Sequence, residues 1–200
     1  MLLNFLKQNM HRIMRVLVNQ VGIIIFALIM NMTATVLDEK QQPAMTLVAS
    51  LFSICFYLFL VFYAMREEGG ADGIKIDAGR MTYDSTHGLK IGLCATAPNY
   101  VFVLLMLVGL LLGIEYNDAG TIAGGTGVGI WTAGYYVTIL IQSMYAGVLK
   151  SLFGLFALSE SLWAALIAYA VTPLLAPVAS WLGYIYGRKN PASSRPRYYK

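Results

Sequence analysis

Residues 82–113, TYDSTHGLKIGLCATAPNYVFVLLMLVGLLLG, decide the fold class because a polar stretch turns within a few residues into a long apolar one. From Ile91 onward the chain is apolar for more than the roughly 20 residues that a helix needs to cross a hydrocarbon core of about 30 Å. The stretch therefore predicts a membrane-spanning helix over 91–114, entered from a polar loop.

The composition extends this interpretation to the whole chain. Of the 200 residues, 58% are hydrophobic and 12% are charged, whereas about a quarter of the residues of a soluble protein are charged. Apolar runs of spanning length recur at 16–36, 44–65 and 162–187. We predict an all-α polytopic membrane helix bundle that forms a single membrane domain, 1–200.

The net charge of +4 does not indicate nucleic-acid binding, because the basic residues flank apolar segments in short clusters instead of covering a domain-sized face. Cys55 and Cys94 lie inside apolar segments without a CxxC or Cys/His pattern, so we expect two packing residues. No motif implies a metal or another cofactor.

The first half of the chain predicts two spans. Residues 2–16 have apolar and polar positions at helical spacing, which predicts an amphipathic helix on the membrane surface. The first span follows at 16–36; a cleaved signal peptide is the alternative, but the apolar run is long and no small-residue cleavage site follows it. Pro43 then marks the start of the second span, 44–65.

The segment 66–90 is the longest polar stretch, and its five glycines predict loops and short elements. Asp72, Asp77, Asp84 and His87 make it the place where a metal or acid/base group would lie. Asp72-Gly73 superficially resembles the start of the CDP-alcohol phosphotransferase motif, but that motif requires Ala-Arg two residues after the Asp-Gly pair, where this chain has Ile76-Asp77. A role for His87 in a solvated loop is the favoured interpretation.

Within the third span, Pro98 removes a backbone hydrogen bond and Asn99 adds an amide inside the bilayer. Two interpretations stay open: a ligand contact at a broken helix, and a structural anchor between helices. The first interpretation predicts a ligand site that comprises Thr96, Pro98, Asn99, Pro173 and Pro177. Two glycine pairs four residues apart predict close helix packing: Gly109 with Gly113, and Gly183 with Gly187.

The positive-inside rule sets the topology. The N-terminal segment, the 66–90 loop and the basic tail 188–200 carry most of the Lys and Arg, so both termini and this loop are expected in the cytoplasm of a multi-pass cell-membrane protein. That arrangement needs an even number of crossings. We therefore predict that 130–158, which is apolar but polar-interrupted, forms outer-face interfacial or re-entrant helices; five full spans is the alternative.

Three short matches carry a resemblance: THGLKIGLCATAPN at 86–99, ALSESLW at 157–163, and GYIYGRK at 183–189. In this layout the chain resembles small uncharacterised multi-pass membrane proteins of Gram-positive bacteria over about its last 120 residues. The resemblance implies a cytoplasmic loop before the third span and a cytoplasmic C-terminus. It implies no activity.

Three functions remain open. The first is a non-enzymatic subunit or accessory protein that contacts a membrane-protein partner or a second copy, with its tail on anionic lipid. The second is a small transporter or substrate-capture component that binds its ligand at the broken helices. The third is an enzyme acting on lipid headgroups through the Asp72, Asp77, Asp84 and His87 group.

Overall fold

The computed structural model describes residues 2–34, 36, 40–116, 122–155 and 161–190. Seven α-helices make up most of this part of the chain: α1 (Leu2–Ala34), α2 (Gln42–Asp77), α3 (His87–Leu111), α4 (Val128–Ile141), α5 (Ala146–Leu155), α6 (Leu162–Val171) and α7 (Leu175–Lys189). Two short antiparallel strands, β1 (Glu115–Tyr116) and β2 (Ile122–Gly124), pair between α3 and α4. The predicted all-α class is confirmed.

Four stretches are long and apolar enough to cross a membrane, with mean hydropathies between 1.8 and 2.3: Leu3–Ala34, Gln42–Asp77, His87–Leu111 and Leu162–Lys189. Each overlaps one of the four predicted spans and begins at or before its predicted start, while Leu3–Ala34 and His87–Leu111 end two and three residues before the predicted ends, 36 and 114. The chain therefore has the helices of a multi-pass membrane protein.

The N-terminal helix differs from the prediction, because α1 is continuous over 33 residues. A helix of this length measures about 50 Å, which exceeds a hydrocarbon core of about 30 Å. The boundary predicted at residue 16 is therefore not a break in the helix, and a surface position for 2–16 stays a prediction. No proline interrupts α1, and three polar residues of its first half, Asn9, Arg12 and Arg15, have hydrogen-bond partners within the protein.

The prediction of loops over 66–90 is wrong for its first half, because α2 continues to Asp77. The glycines of this half serve close packing instead of turns. A Cβ atom at Gly69 would lie 2.1 Å from the carbonyl oxygen of Tyr184 in α7, and one at Gly73 would lie 3.3 Å from that of Arg188. The turn comes afterwards, at Gly79, whose φ of +70° favours glycine.

The segment predicted to form interfacial or re-entrant helices is a bent pair. Helices α4 and α5 meet at an angle of 77°, and a single 3₁₀ turn, Ser143–Tyr145, separates them. By length and composition this pair is either a re-entrant element or one broken span, which would raise the count from four spans to five.

The last span is interrupted where the prolines predict it. A 3₁₀ turn, Thr172–Leu174, separates α6 from α7 and contains Pro173. Pro177 lies in the first turn of α7, where the missing N–H of proline costs little because that N–H has no helical partner.

The chain divides into two compact units. The first comprises Met1–Gly22, Cys55–Thr96 and Leu174–Lys200, and the second comprises Ile23–Ile54 and Ala97–Pro173. Large buried side chains in the first unit include Val16, Tyr57, Met65, Ile91 and Tyr184, and those in the second include Met106, Trp131, Met144, Tyr145 and Tyr169. Each unit also has polar groups in its core.

Candidate functional site

The first unit contains a cluster of charged and polar side chains, which we call the charge cluster: Asn9, Arg12, Glu68, Asp72, Lys75, His87 and Tyr184. Helix periodicity explains how the cluster assembles. Asn9 and Arg12 share one face of α1, and Glu68, Asp72 and Lys75 share one face of α2, because residues three or four apart are neighbours on a helix. His87 begins α3, and Tyr184 comes from α7.

Arg12 and Asp72 form the centre of the charge cluster. The two terminal nitrogens of the guanidinium donate to the two oxygens of the carboxylate at 2.6 and 2.7 Å. The Nε of Arg12 lies 2.9 Å from Glu68. The planar two-bond geometry of the Arg12–Asp72 pair is the strongest form of an ion pair between side chains. Asp72 is fully buried, so its charge depends on these partners.

Asp72 has two further donors. The Lys75 ammonium donates to Oδ1 at 3.2 Å, and the Tyr184 hydroxyl donates to Oδ2 at 3.3 Å. A carboxylate has about four acceptor positions, and Asp72 uses all of them on side chains of this protein. Asp72 therefore holds α1, α2 and α7 together.

His87 is buried within the charge cluster, with 8% of its surface exposed. Its Nε2 lies 3.0 Å from a terminal nitrogen of Arg12 and 3.1 Å from Oδ1 of Asn9. Its ring contacts the rings of Phe5 and Tyr184 at centroid distances of 5.6 and 5.3 Å. The predicted role of His87 in a solvated loop is wrong, because the polar face of α1 covers it.

The other two carboxylates of the predicted metal or acid/base group lie elsewhere. Asp84 accepts hydrogen bonds from Lys90 at 2.6 Å and from the backbone N–H of Thr86 at 2.9 Å. The Lys90 ammonium, with help from Thr86, lowers the pKa of Asp84 to about 2. Asp77 is exposed at the end of α2. Among the described residues, no group of three or more His, Cys, Asp or Glu side chains is arranged to hold a metal ion.

The predicted break at Pro98 and Asn99 is wrong, because α3 runs through both residues without interruption. Pro98 is exposed, while Asn99 is buried. The hydroxyl of Thr96 donates to the carbonyl of Gly92 at 3.0 Å, a local bond within α3. A Cβ atom on the same Gly92 would lie 2.6 Å from Pro177, which is therefore a helix-packing residue.

The five residues of the predicted ligand site come from three elements. Thr96, Pro98 and Asn99 lie in α3, Pro173 lies in the 3₁₀ turn between α6 and α7, and Pro177 lies in α7. Their common feature in the sequence, disruption of a helix, occurs in the structure at Pro173 alone.

The second unit has a polar site that the sequence analysis did not single out: residues 142–147 at the junction of α4 and α5, which we call the helix break. Gln142 donates to the carbonyl of Tyr169 at 3.1 Å and accepts from the hydroxyl of Thr172 at 2.8 Å. Asn31 donates to the carbonyl of Ser143 at 3.2 Å. The adjacent polar pair Gln142-Ser143 inside an apolar run was the available signal.

The backbone of α5 is held at the helix break as well. The N–H of Gly147 donates to the hydroxyl of Ser50 at 2.7 Å, and a Cβ atom at Gly147 would lie 2.1 Å from the carbonyl oxygen of Thr46. Side chains from α1, α2 and the α6–α7 turn therefore fix the bend between α4 and α5.

Some buried polar atoms of the second unit have no hydrogen-bond partner within the described part of the chain. They include the hydroxyls of Tyr100, Thr138 and Tyr145 and the indole N–H of Trp131. Tyr145 and Thr138 are 2% and 1% exposed. Buried hydroxyls normally bind a partner, protein or water, and two of these, Tyr145 within the helix break and Thr138 one turn before Gln142, can still form a hydrogen bond there.

Three of the four predicted packing glycines contact another helix of the same chain. A Cβ atom at Gly109 would lie 2.5 Å from the backbone nitrogen of Trp131. One at Gly183 would lie 2.3 Å from the carbonyl oxygen of Phe62, and one at Gly187 would lie 2.0 Å from that of Arg66. A Cβ atom at Gly113 would meet no atom within 4 Å, and its φ is +92°. Gly113 ends α3 in a turn, and its carbonyl accepts from the N–H of Gly127 at 3.1 Å, so among the described residues no other helix packs where its side chain would be.

An apolar groove of about 430 Å³ lies between α5 and α6 in the second unit. Its lining consists of Leu149, Leu152, Phe153, Ala164, Ile167, Ala168 and Val171. Unlike the faces that carry Gly109, Gly183 and Gly187, this apolar groove is not filled by a helix of the described part of the chain.

The basic tail predicted to contact anionic lipid lies mostly outside the described residues, at 191–200. Its first residues complete α7, where the Arg188 guanidinium lies 3.9 Å from the ring centroid of Tyr83. Arg66 lies between the rings of Tyr63 and Tyr186, at 5.9 and 5.4 Å.

The chain matches no protein-family model, no curated protein and no solved structure.

Proposed function

We propose that this protein is a non-enzymatic component of a membrane complex, a subunit or accessory protein that contacts a partner within the bilayer. The observation that carries the proposal is the charge cluster, in which the ionisable side chains bind one another. Four contacts occupy Asp72, and Arg12 joins Asp72, Glu68 and His87. Such a network stabilises and positions helices.

A catalytic interpretation needs a different arrangement. A general base must have a lone pair within hydrogen-bond reach of the substrate proton, whereas the lone pairs of Asp72 are directed at Arg12, Lys75 and Tyr184. Asp84 is likewise engaged by Lys90 and Thr86. The geometry thus favours a structural role for Asp72 and Asp84, the carboxylates that an enzyme acting on lipid headgroups would use.

The cell membrane, with both termini in the cytoplasm, is the location that we propose. Support comes from the distribution of basic residues, because Lys and Arg concentrate in cytoplasmic segments of membrane proteins. Arg12 and Arg15 of α1, Lys75 of α2, Lys90 of α3 and Arg188 of α7 all belong to the first unit.

Photo-crosslinking in native membranes tests the partner role. A photo-reactive amino acid at Ile167, which lines the α5–α6 groove and is 60% exposed, is compared with one at Val21 of α1, which is 54% exposed. We expect a crosslink to one defined membrane protein or to a second copy of this chain from Ile167 and not from Val21. Lipid adducts alone at both positions, together with a solitary monomer on purification, contradict the proposal.

The helix break favours a second candidate, a small transporter or substrate-capture component. Discontinuous helices form substrate sites in many transporters, and the unpartnered hydroxyls of Thr138 and Tyr145 lie beside this one. The site would then lie at the α4–α5 junction and not at Pro98 and Asn99.

Replacing Tyr145 with Phe separates the two candidates. If a ligand uses the hydroxyl, Tyr145→Phe reduces the amount of a co-purifying small molecule without loss of thermal stability. Asn99→Leu, which alters a buried amide in the same unit, is the comparison variant. An unchanged ligand content in Tyr145→Phe removes the support for a transporter.

A further inference from the structure

The Nε2 atom of His87 faces a donor and an acceptor at the same time. Arg12 only donates hydrogen bonds, and the side-chain oxygen Oδ1 of Asn9 only accepts them. The Arg12 nitrogen lies at 3.0 Å and Oδ1 of Asn9 at 3.1 Å from Nε2. One ring nitrogen can satisfy only one of these two partners.

The orientation of the Asn9 amide follows from its other contact. Its Nδ2 donates to the carbonyl of Phe5 at 3.0 Å, which leaves Oδ1 directed at the histidine. A flipped amide would lose the bond to Phe5. Asn9 is buried, with 5% of its surface exposed, so water does not readily replace a missing bond.

The protonation state of His87 therefore selects the partner. A ring with its proton on Nδ1 has a lone pair on Nε2 and accepts the hydrogen bond from Arg12. A doubly protonated ring has an N–H on Nε2, which donates to Asn9 and points a positive charge toward the guanidinium of Arg12. In this change the ring takes one proton from solvent, and the hydrogen bond to Asn9 replaces the hydrogen bond from Arg12.

We propose that His87 is a proton-binding site that switches the start of α3 between Arg12 and Asn9, and so makes the contact between α1 and α3 sensitive to pH. Arg12 and Asn9 lie nearly one turn apart on α1. Protonation weakens the bond to Arg12, which keeps its two bonds to Asp72 and its contact with Glu68. The proposal is independent of the partner role.

Charged groups from each neighbouring element act on His87. Burial of the ring opposes a positive charge on it most strongly, and Arg12 of α1 and Lys90 of α3 oppose it as well, while Asp72 of α2 and Asp84 before α3 favour it. Tyr184 of α7 contributes a ring contact. The short contacts of Nε2 with Arg12 and Asn9 decide which hydrogen bond each protonation state makes.

The chain suits a direct measurement because it has only two histidines, His11 and His87. Protein labelled with ¹⁵N-histidine in lipid nanodiscs, with His11→Gln to remove the exposed ring, gives one side chain in the nitrogen spectrum. At pH 8 we expect a neutral ring with the proton on Nδ1. At a pH well below the ordinary histidine pKa of about 6.5, where the opposition from burial is overcome, we expect protons on both nitrogens.

Two variants test the assignment of partners. Asn9→Leu removes the acceptor of the charged ring and is expected to lower the titration midpoint by about one pH unit; Arg12→Gln removes the neighbouring cation and is expected to raise it by about one unit. Asn9→Leu leaves the Arg12–Asp72 pair intact, so the test does not depend on whether Arg12→Gln folds. A proton on Nε2 at every pH, or an unchanged midpoint in Asn9→Leu, overturns the proposal.

Trp181 reports whether the switch reaches α3, because its indole N–H donates to the carbonyl of Ser85, two residues before His87, at 3.0 Å. With Trp131 and Trp163 replaced by Phe, we expect its fluorescence to change with the midpoint measured by NMR. His87→Gln, whose amide satisfies Arg12 and Asn9 together, serves as the pH-insensitive control. A flat Trp181 signal while His87 titrates overturns the coupling to α3.

Discussion

The guanidinium of Arg12 and the carboxylate of Asp72 form two hydrogen bonds of 2.6 and 2.7 Å that join α1 to α2. The side chain of Asp72 is 1% exposed and that of Arg12 is 15% exposed. Removing one partner of a buried pair leaves the other charge uncompensated, which is why such pairs are costly to break singly.

Asp72→Asn is expected to destabilise the protein by about 3–5 kcal/mol, because Arg12 then faces a neutral amide. Unfolding in detergent, followed by circular dichroism, measures the loss. The double variant Arg12→Leu with Asp72→Leu should recover much of it, since no lone charge remains. The exposed Asp77→Asn is the control, with an expected change within about 0.5 kcal/mol. Equal stabilities of Asp72→Asn and Asp77→Asn would contradict the structural role of the pair.

Gly187→Ala is expected to weaken the contact between α7 and α2, because the new methyl group would lie 2.0 Å from the carbonyl oxygen of Arg66. Relieving such a clash requires the helices to move apart, at a cost of about 1–3 kcal/mol. Gly22→Ala is the matched control on α1, because a methyl group there would meet no atom within 4 Å. There alanine should stabilise the helix by up to about 1 kcal/mol. Opposite shifts of the thermal unfolding midpoint, downward for Gly187→Ala and upward for Gly22→Ala, confirm the prediction. Equal shifts of the two midpoints contradict it.

The bond between Asp84 and Lys90 predicts a pH-dependent contribution to stability. Lys90 and Thr86 lower the pKa of Asp84 to about 2 in the folded protein, below the value of about 3.9 in an unfolded chain. The contribution is therefore fully present above about pH 4 and is lost as the pH falls through about 2. Because both side chains are partly exposed, its size is about 0.2–1 kcal/mol.

Comparing Asp84→Ala with the unmodified protein at pH 7 and pH 2 measures this contribution. The unfolding midpoint of Asp84→Ala should be lower at pH 7, and the difference should shrink at pH 2. Asp77→Ala corrects for general effects of net charge. A difference that is independent of pH would assign the loss to something other than the ionised carboxylate.

Gln142→Leu is expected to destabilise the helix break by about 1–3 kcal/mol, because the carbonyl of Tyr169 and the hydroxyl of Thr172 lose their partner. A double-mutant cycle with Thr172→Val isolates the part that belongs to the Gln142–Thr172 bond. Thr172→Ser keeps the hydroxyl and is the control. A coupling energy of zero would show that this bond does not hold the bend.

Cysteine accessibility decides whether the α4–α5 pair crosses the membrane. After Cys55 and Cys94 are replaced, single cysteines are placed at Gly129 in α4 and at Ser151 in α5, both exposed positions near the two ends of the pair. A re-entrant pair predicts that a membrane-impermeant thiol reagent labels both from the outer face. Labelling from opposite faces would establish a fifth span and place the C-terminus outside.

The apolar periods of the sequence determined the helical class and the approximate positions of the four long helices. Apolar runs near 20 residues have few stable alternatives in a bilayer, because each backbone polar group must find a partner within its own segment. The 3₁₀ turn at Pro173 was also readable, since proline lacks the N–H that continues a helix.

Tertiary structure decided what the polar residues do. The glycines at 69 and 73 resemble loop residues in the sequence, yet they allow α7 to approach α2, because local propensity does not record which backbone lies opposite. Asp72 and His87 follow Arg12 by 60 and 75 positions along the chain. No spacing rule could therefore bring the three residues together. Only the packing of α1, α2, α3 and α7 placed one histidine nitrogen between a donor and an acceptor.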